Sequence, residues 1–450
     1  MPAFTSRGTC AANGKAQMVS EDDNNILTQV GPGTPMGTLM RRHWIPAALS
    51  TELRADGDPM RLLLLGEKLI AFRATGGKVC VMDHRCPHRC ASLFYGRNEE
   101  GGIRCIYHGW KFDAEGHCVD MPNVPAHQDF KHRIHAKAYK TVEQNGLIWV
   151  YMGDQSDIPS LPAIEALLIS PEKMEFNFAQ RSCNWLQALE GDIDTSHVDF
   201  LHGGARTERA YAADDPRRWG AINRSPEYEV KETEWGVMYG AHRPGGPGQT
   251  YWRVAQFLYP FWTITPSGVF GDHMYARAWV PMDDTHTMAM RVLIRSNRPA
   301  NIGVEINLDR VLPNATDWYG RWRPETTAEN DYLIDRQRQR TDSFSGLPGI
   351  APEDQAVTES MGGIIDRSLE HLAPSDRMIA VTRRMLLTTA GALEKGEMGP
   401  AKDGVLYARV KGGYFLAPDH LKLSDAYEHA TIEVDNRRAP AGQLPESHQV

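Results

Sequence analysis

Long apolar runs are missing from this sequence. A membrane-spanning helix requires roughly 20 consecutive apolar residues, and the nearest approach, Leu62–Leu65 with Leu69–Phe72, is interrupted by Gly66-Glu67-Lys68. No membrane span is expected. An excess of positive charge is also missing: 49 Lys and Arg against 57 Asp and Glu leave a net charge of −8, which excludes the basic footprint of a nucleic-acid binder. Cysteine is scarce. Cys10, Cys80, Cys86, Cys90, Cys105, Cys118 and Cys183 are too few and too unevenly spaced for a disulfide scaffold in 450 residues, so the expected compartment is a reducing cytoplasm. The polar first 25 residues lack the apolar core of a secretory signal. No internal repeat is present.

A chain of 450 residues has room for roughly two to three domains. Residues 1–25 read as a disordered leader. Thr34 is placed to N-cap a short helix with Pro35 at its first position and Met36, Leu39 and Met40 following. Short strands are then predicted at Met60–Leu65, Lys68–Arg73, Val79–Met82, Gly102–Tyr107, Trp110–Phe112 and Gly146–Tyr151, separated by turn formers. Pro159 and Pro162 mark a linker near 155–175. Beyond it, Leu186, Leu189 and Ile193 make one apolar stripe of a helix predicted over Asn184–Leu201. Further strands are predicted at Met174–Phe178, Tyr228–Val230, Gly236–Tyr239, Tyr251–Phe257, Trp262–Pro266, Met274–Val280 and Thr287–Ile294, and helices at Thr327–Thr341 and Glu353–Leu372. Gly203–Pro226 is a loop with five Arg, and residues 424–450 read as a polar tail that frays. The pattern describes an α+β chain: a small β domain over 26–155, then a larger domain over 156–423 whose curved sheet wraps a helix.

Two loops of the β domain carry chemistry. Cys86-Pro87-His88-Arg89-Cys90 and Cys105-Ile106-Tyr107-His108-Gly109-Trp110 pair a Cys-x-His with a Cys-x2-His across sixteen residues. Cys86, His88, Cys105 and His108 suit a [2Fe–2S] centre in which two histidines replace two cysteines on one iron, raising its potential. The rival is a structural zinc site, but common zinc patterns bring their cysteines and histidines in separate pairs. Cys80, Cys118 and Cys183 read as small buried apolar residues.

A second constellation lies on Glu190–His202. Two histidines and a carboxylate form the facial triad of non-haem Fe(II) oxygenases, with positions left open for dioxygen and substrate. His197 and His202 are five residues apart, about 140° around an ideal helix, so they can share an ion only if the helix is distorted or the ion sits at its edge. Asp194, three residues before His197, is better placed to orient that imidazole than to bind the metal. The third ligand must come from elsewhere. Taken alone, two helix histidines are more often ordinary structural residues. A redox cluster in the same chain reverses that preference.

With both constellations in view, the chain resembles the α (oxygenase) subunits of Rieske non-haem iron oxygenases, in the phthalate 4,5-dioxygenase branch. Besides the two cluster boxes, the resemblance rests on Gly31-Pro32-Gly33-Thr34-Pro35-Met36-Gly37, Asn184–Gly191 and Glu353-Asp354-Gln355-Ala356-Val357. It implies a β-rich Rieske domain followed by a helix-grip catalytic domain with a curved antiparallel sheet. It also implies a mononuclear iron on His197, His202 and a later carboxylate. By motif that carboxylate is Asp354, with Glu353 the runner-up and Glu359 third. Asp194 matches the family's bridging aspartate, whose partner would be His108 of a neighbouring copy in a head-to-tail homotrimer. One residue departs from the family pattern: the first box usually ends in Gly, and here Cys90 stands there without a disulfide partner.

The resemblance further implies a separate flavin and iron–sulfur reductase drawing on NAD(P)H, with O2 as co-substrate and a small aromatic, carboxylated substrate. Arg243 and Arg253, or an Arg on the Gly203–Pro226 loop, are candidates for the carboxylate. O-demethylation or ether cleavage of a methoxy- or aryloxy-aromatic acid uses the same metal chemistry. The alternative from another class is a Rieske electron-transfer protein, which needs no second metal.

Overall fold

The structure is a computed structural model that describes residues 19–204, 206–272, 275–294, 309–397 and 404–438. Helix α1 (Glu21–Thr28) starts at Ser20, whose hydroxyl accepts from Asp23 N–H, and three acidic residues fill its first turn. Residues 21–25, expected within a disordered leader, are therefore helical. The Trp185 indole and the Asn184 amide donate to the Leu27 and Thr28 carbonyls and hold the helix down. Residues 1–18, with Cys10, lie outside the described residues. In α2 (Pro35–Arg41), Thr34 caps Gly37 N–H with Pro35 in the first turn, as its sequence predicts.

The strands that follow are β1 (Trp44–Leu49), β2 (Met60–Leu64), β3 (Glu67–Arg73), β4 (Val79–Asp83), β5 (Arg97–Glu99), β6 (Gly102–Arg104), β7 (Lys111–Asp113), β8 (Cys118–Asp120), β9 (Ala138–Gln144) and β10 (Leu147–Tyr151). They form an antiparallel six-stranded sheet, ordered β1-β10-β9-β4-β3-β2, and a four-stranded sheet, β5-β6-β7-β8. The smaller sheet has its own core of Phe72, Ile103, Trp110 and Phe112, in which Cys86 and Cys105 also sit. The strand predicted over Gly102–Tyr107 stops at Arg104, because Cys105–Gly109 turns away into a loop.

The second half comprises β11 (Met174–Arg181), α3 (Trp185–Ile193), α4 (Arg218–Ile222), β12 (Glu227–Thr233), β13 (Gly236–Pro244), β14 (Gln249–Leu258), β15 (Trp262–Ile264), β16 (Tyr275–Pro281), β17 (Thr287–Ile294), α5 (Arg336–Thr341), α6 (Ile350–Glu359), α7 (Arg377–Glu394), β18 (Gly413–Pro418) and α8 (Leu423–Arg438). Its antiparallel sheet runs β11-β17-β16-β15-β14-β13-β12, and β18 joins the free length of β14. Helix α3 lies against β14, β15 and β16 on one side and α6 and α7 on the other. Trp185, Leu186, Ala188, Leu189 and Ile193 are buried all round it, each large apolar side chain contributing about 1.5–3 kcal/mol. Glu190, on the same helix, is tolerated because Arg367 and Arg383 pair with it. One hydrophobic cluster runs from Leu27 through both sheets to Val410, so the two halves share a core.

Several predicted helices are shorter than their patterns. The one predicted over Asn184–Leu201 ends at Ile193, where Asp194 takes an extended ψ of 115°. Thr327–Thr341 is α-helical only over Arg336–Thr341, since Asp331 and Tyr332 adopt positive φ. Glu353–Leu372 resolves into α6, which begins earlier at Ile350 and ends at Glu359 before Gly362 at φ +95°. The tail read from residue 424 is instead mostly α8, which buries Leu423, Ala426, Ala430 and Val434. No helix among the described residues is long and apolar enough to cross a membrane.

Candidate metal centres and substrate cavity

The cluster loops close by the same device. Cys90 N–H bonds to Cys86 O and Gly109 N–H to Cys105 O, both at 2.9 Å; Cys86 N–H bonds to Ala91 O and Cys105 N–H to Trp110 O, both at 2.8 Å. The two loops are thus pseudo-equivalent, one hanging between β4 and β5 and the other between β6 and β7. Cys86 and Cys105 are buried, whereas His88 and His108 are partly exposed, with ring centroids 4.4 Å apart. His88 stacks on Trp110 at 4.3 Å and 12°, and the Trp110 indole is fixed by Asn123. Burial pushes the Cys86 thiol up to about 12; a backbone N–H at His88 opposes the rise and the adjacent Cys105 thiol adds to it. Two adjacent buried thiols are costly to ionise alone, and iron supplies the positive charge that offsets the cost. The donor set fits a [2Fe–2S] cluster, which the buried Cys86 and Cys105 and the partly exposed His88 and His108 would hold.

The pseudo-symmetry explains Cys90. It stands where the other loop has Gly109, and both residues have positive φ, +58° and +80°. A Cβ at Gly109 would meet Pro122 Cγ at 2.6 Å, so glycine is required there, while Cys90 points outward, exposed and free. A left-handed conformation costs a non-glycine residue about 1–2 kcal/mol. Cys90→Gly is therefore expected to stabilise the protein by about 1 kcal/mol without altering the cluster spectrum, as thermal unfolding and visible absorbance would record.

The second centre forms where α3 ends. Because the chain leaves the helix at Asp194 and makes a tight turn over His197–Asp199, the two histidines need not share a helix face. Their Nε2 atoms lie 3.1 Å apart. Asp354 of α6 brings Oδ1 to 3.0 Å from His202 Nε2 and 3.5 Å from His197 Nε2. These three side chains are a group of metal-ligand type whose donor atoms lie within 4.8 Å of one another. Each imidazole turns its other nitrogen to a carboxylate: His197 Nδ1 lies 3.3 Å from Asp194 Oδ2, and His202 Nδ1 lies 2.6 Å from Glu353 Oε2. Such contacts fix the tautomer that leaves Nε2 free for a metal. Glu353 also accepts from the Ser345 hydroxyl. Its position behind His202 is incompatible with the ligand role held open for it, and this orienting contact went unread in the sequence. Glu359 is remote, bonded to Ser182, Gln355 and Tyr332.

The electrostatics favour a cation at this point. Burial works against a charged His197, but hydrogen bonds with Asp194 and Asp354 outweigh it and raise the imidazole to about 10. Burial would raise Asp354, yet the two imidazoles hold its carboxyl below the usual range. Metal binding replaces such protons, and two imidazoles with one carboxylate form the set expected for non-haem iron with open positions.

The triad opens into a cavity of about 230 Å³, below the range of drug-sized pockets and suited to a single ring. Tyr239, Tyr251, Tyr275 and Tyr414 line it with Arg253, Arg277 and Arg291 of the sheet and Arg206, Arg217 and Arg224 of the 203–226 loop. Arg253, a sequence candidate, is thus in the wall, its Nε donating to Thr195 Oγ1 at 2.9 Å. Arg243 is not. It stands one layer behind, with Nη1 3.0 Å from Asp199 and bonded to the Gly220 and Asn223 carbonyls. Its sequence reading as a substrate ligand is corrected to a structural one.

Comparison with known proteins identifies both halves of the chain. Residues 43–139 match the Rieske [2Fe-2S] domain, and residues 150–408 match the family described as LigXa C-terminal domain like. The chain is 47% identical to the 3-chlorobenzoate-3,4-dioxygenase oxygenase subunit of Comamonas testosteroni, covering 91% of this chain and 98% of the relative. It is 36% identical to the phthalate 4,5-dioxygenase oxygenase subunit of Pseudomonas putida, covering 84% and 88%. Dicamba monooxygenase shares the fold at 20% identity and a TM-score of 0.53, over 80% of this chain and all of the other. The chain belongs to the Rieske non-haem iron oxygenases, as an oxygenase subunit of the phthalate 4,5-dioxygenase-like branch.

Proposed function

We propose that this enzyme oxygenates a small carboxylated aromatic ring at an iron held by His197, His202 and Asp354. Electrons reach it from a [2Fe–2S] cluster held by Cys86, His88, Cys105 and His108. The observation that carries this reading is the donor triad opening onto a single-ring cavity whose wall holds Arg253. When bound, the iron supplies open coordination positions for dioxygen beside the substrate. Asp194 and Glu353 hold the two imidazoles in one tautomer, and Arg253 orients the ring through its carboxylate. Tyr239, Tyr251, Tyr275 and Tyr414 give the ring aromatic walls to pack against.

The relay is between copies. The partly exposed edges of His88 and His108 suit contact with another chain, and in a head-to-tail homotrimer His108 would face Asp194 of its neighbour. A flavin and iron–sulfur reductase using NAD(P)H in the cytoplasm supplies the electrons. The deciding experiment incubates the enzyme with a surrogate reductase, O2 and a panel of benzoates. Consumption of O2 matched to an oxygenated product supports the reading, and electron transfer without any product would return the chain to the electron-carrier class. Within this scheme, Arg253→Gln is expected to raise KM for an aromatic acid about tenfold or more, the loss of a charge-assisted bond of roughly 1.5–3 kcal/mol. The neutral amide analogue should change little. Steady-state kinetics on the two compounds checks this.

A further inference from the structure

The two cluster loops close by equivalent hydrogen bonds but differ in the residue that completes each of them. Cys86 N–H bonds to Ala91 O and Cys105 N–H to Trp110 O, so Ala91 and Trp110 occupy equivalent places. Ala91 offers no ring. Trp110 does, and it reaches across to the other loop, stacking on His88 with centroids 4.3 Å apart and planes 12° from parallel. The indole is 4% exposed. His108 is covered differently, by Tyr107 at 3.8 Å and a tilt of 38°. That ring is 54% exposed, and the Arg89 guanidinium donates to its hydroxyl at 3.3 Å. One imidazole thus has a dry face and the other a wet one.

Trp110 is itself held from outside both cluster boxes. Asn123, beyond β8, accepts from its indole N–H at 2.8 Å, and Phe130 meets the ring edge-on at 5.8 Å and 79°. Pro122 packs so closely on the same loop that a Cβ at Gly109 would lie 2.6 Å from its Cγ. A rotated indole would lose Asn123 and His88 together. The stack therefore fixes the plane of His88.

One-electron reduction adds a negative charge to the cluster. Water stabilises such a charge better than an apolar face does, and the face of an aromatic ring is itself negative. Both effects disfavour the reduced form, and solvent exposure is among the factors that set iron–sulfur potentials.

We infer that Trp110, locked by Asn123, is a positioning residue for His88: it fixes the imidazole plane, keeps water from that face and holds the cluster at a lower potential than an open site would have. The inference rests on the assignment of the cluster to Cys86, His88, Cys105 and His108, and is independent of the substrate.

Redox titration of the holoenzyme, followed by visible absorbance and by electron paramagnetic resonance of the reduced cluster, tests this. Trp110→Ala is expected to shift the equilibrium about tenfold towards the reduced form, a rise of about 59 mV for one electron, and to change the g-values. Trp110→Phe keeps a ring on His88 and should restore most of both. Tyr107→Ala should shift the equilibrium by about twofold or less, because His108 is already open to water. An unchanged or lowered potential in loaded Trp110→Ala would overturn the inference, as would an equal shift in Tyr107→Ala. If Trp110→Ala does not load its cluster, Asn123→Leu decides. Asn123 is exposed, and its replacement should raise the potential in the same direction; an unchanged potential and spectrum there would overturn the inference. Absence of a Rieske spectrum from the reduced unmodified enzyme would mean that the cluster assignment itself has failed, and the inference with it.

Discussion

Asp354→Ala is expected to abolish oxygenation while leaving the Rieske spectrum intact. Among the described residues, Asp354 is the one carboxylate whose oxygen lies within 3.5 Å of both Nε2 atoms, and His197 and His202 alone leave an ion with two ligands. Iron content should fall from three per chain, two in the cluster and one in the triad, to two. Turnover should drop by about a thousandfold or more, equivalent to roughly 4 kcal/mol of lost transition-state stabilisation. Glu353 does not rescue the variant, because its carboxylate faces Nδ1 of His202, on the far side of the ring. Metal analysis beside the visible spectrum separates the two centres. Full iron content in the variant would show that another residue completes the site.

Asp194→Asn is expected to produce a different failure, with both metal centres loaded and turnover reduced about a hundredfold. Its carboxylate lies 3.3 Å from His197 Nδ1 and is partly exposed where the chain leaves α3. Losing a carboxylate that orients a ligand histidine costs up to about a hundredfold. If the proposed trimeric relay holds, the same change also removes the contact to the neighbour's cluster. Rapid-mixing measurements on the prereduced enzyme should therefore show slow cluster oxidation in the presence of substrate and O2, with iron content unchanged. Oxidation at the unmodified rate would place the relay elsewhere.

The cluster was legible in the sequence because all four of its donors fall within two short loops, and their types alone favour iron–sulfur over zinc. The histidine pair was legible for the same local reason. Its geometry was not, since the Leu186, Leu189 and Ile193 stripe gives no sign that the helix stops at Ile193. Asp354 lies 152 residues beyond His202 and shares no periodicity with it, so only the family resemblance pointed there. The roles of Glu353 and Arg243 are tertiary facts. One depends on α6 packing against α3, the other on Asp199 and two carbonyls meeting at Nη1 of a guanidinium. Helix α8 was missed although Leu423, Ala426, Ala430 and Val434 recur at helical spacing. The polar residues between them dominated the reading.

The most direct test of the central claim is a single turnover without any reductase. Enzyme whose cluster and iron have been chemically reduced is mixed with an aromatic acid and 18O2, and the product is analysed by mass spectrometry. Labelled oxygen should appear in the product, in an amount that scales with the triad iron and is absent from Asp354→Ala. Oxidation of the cluster without labelled product would contradict the account and leave the protein an electron carrier.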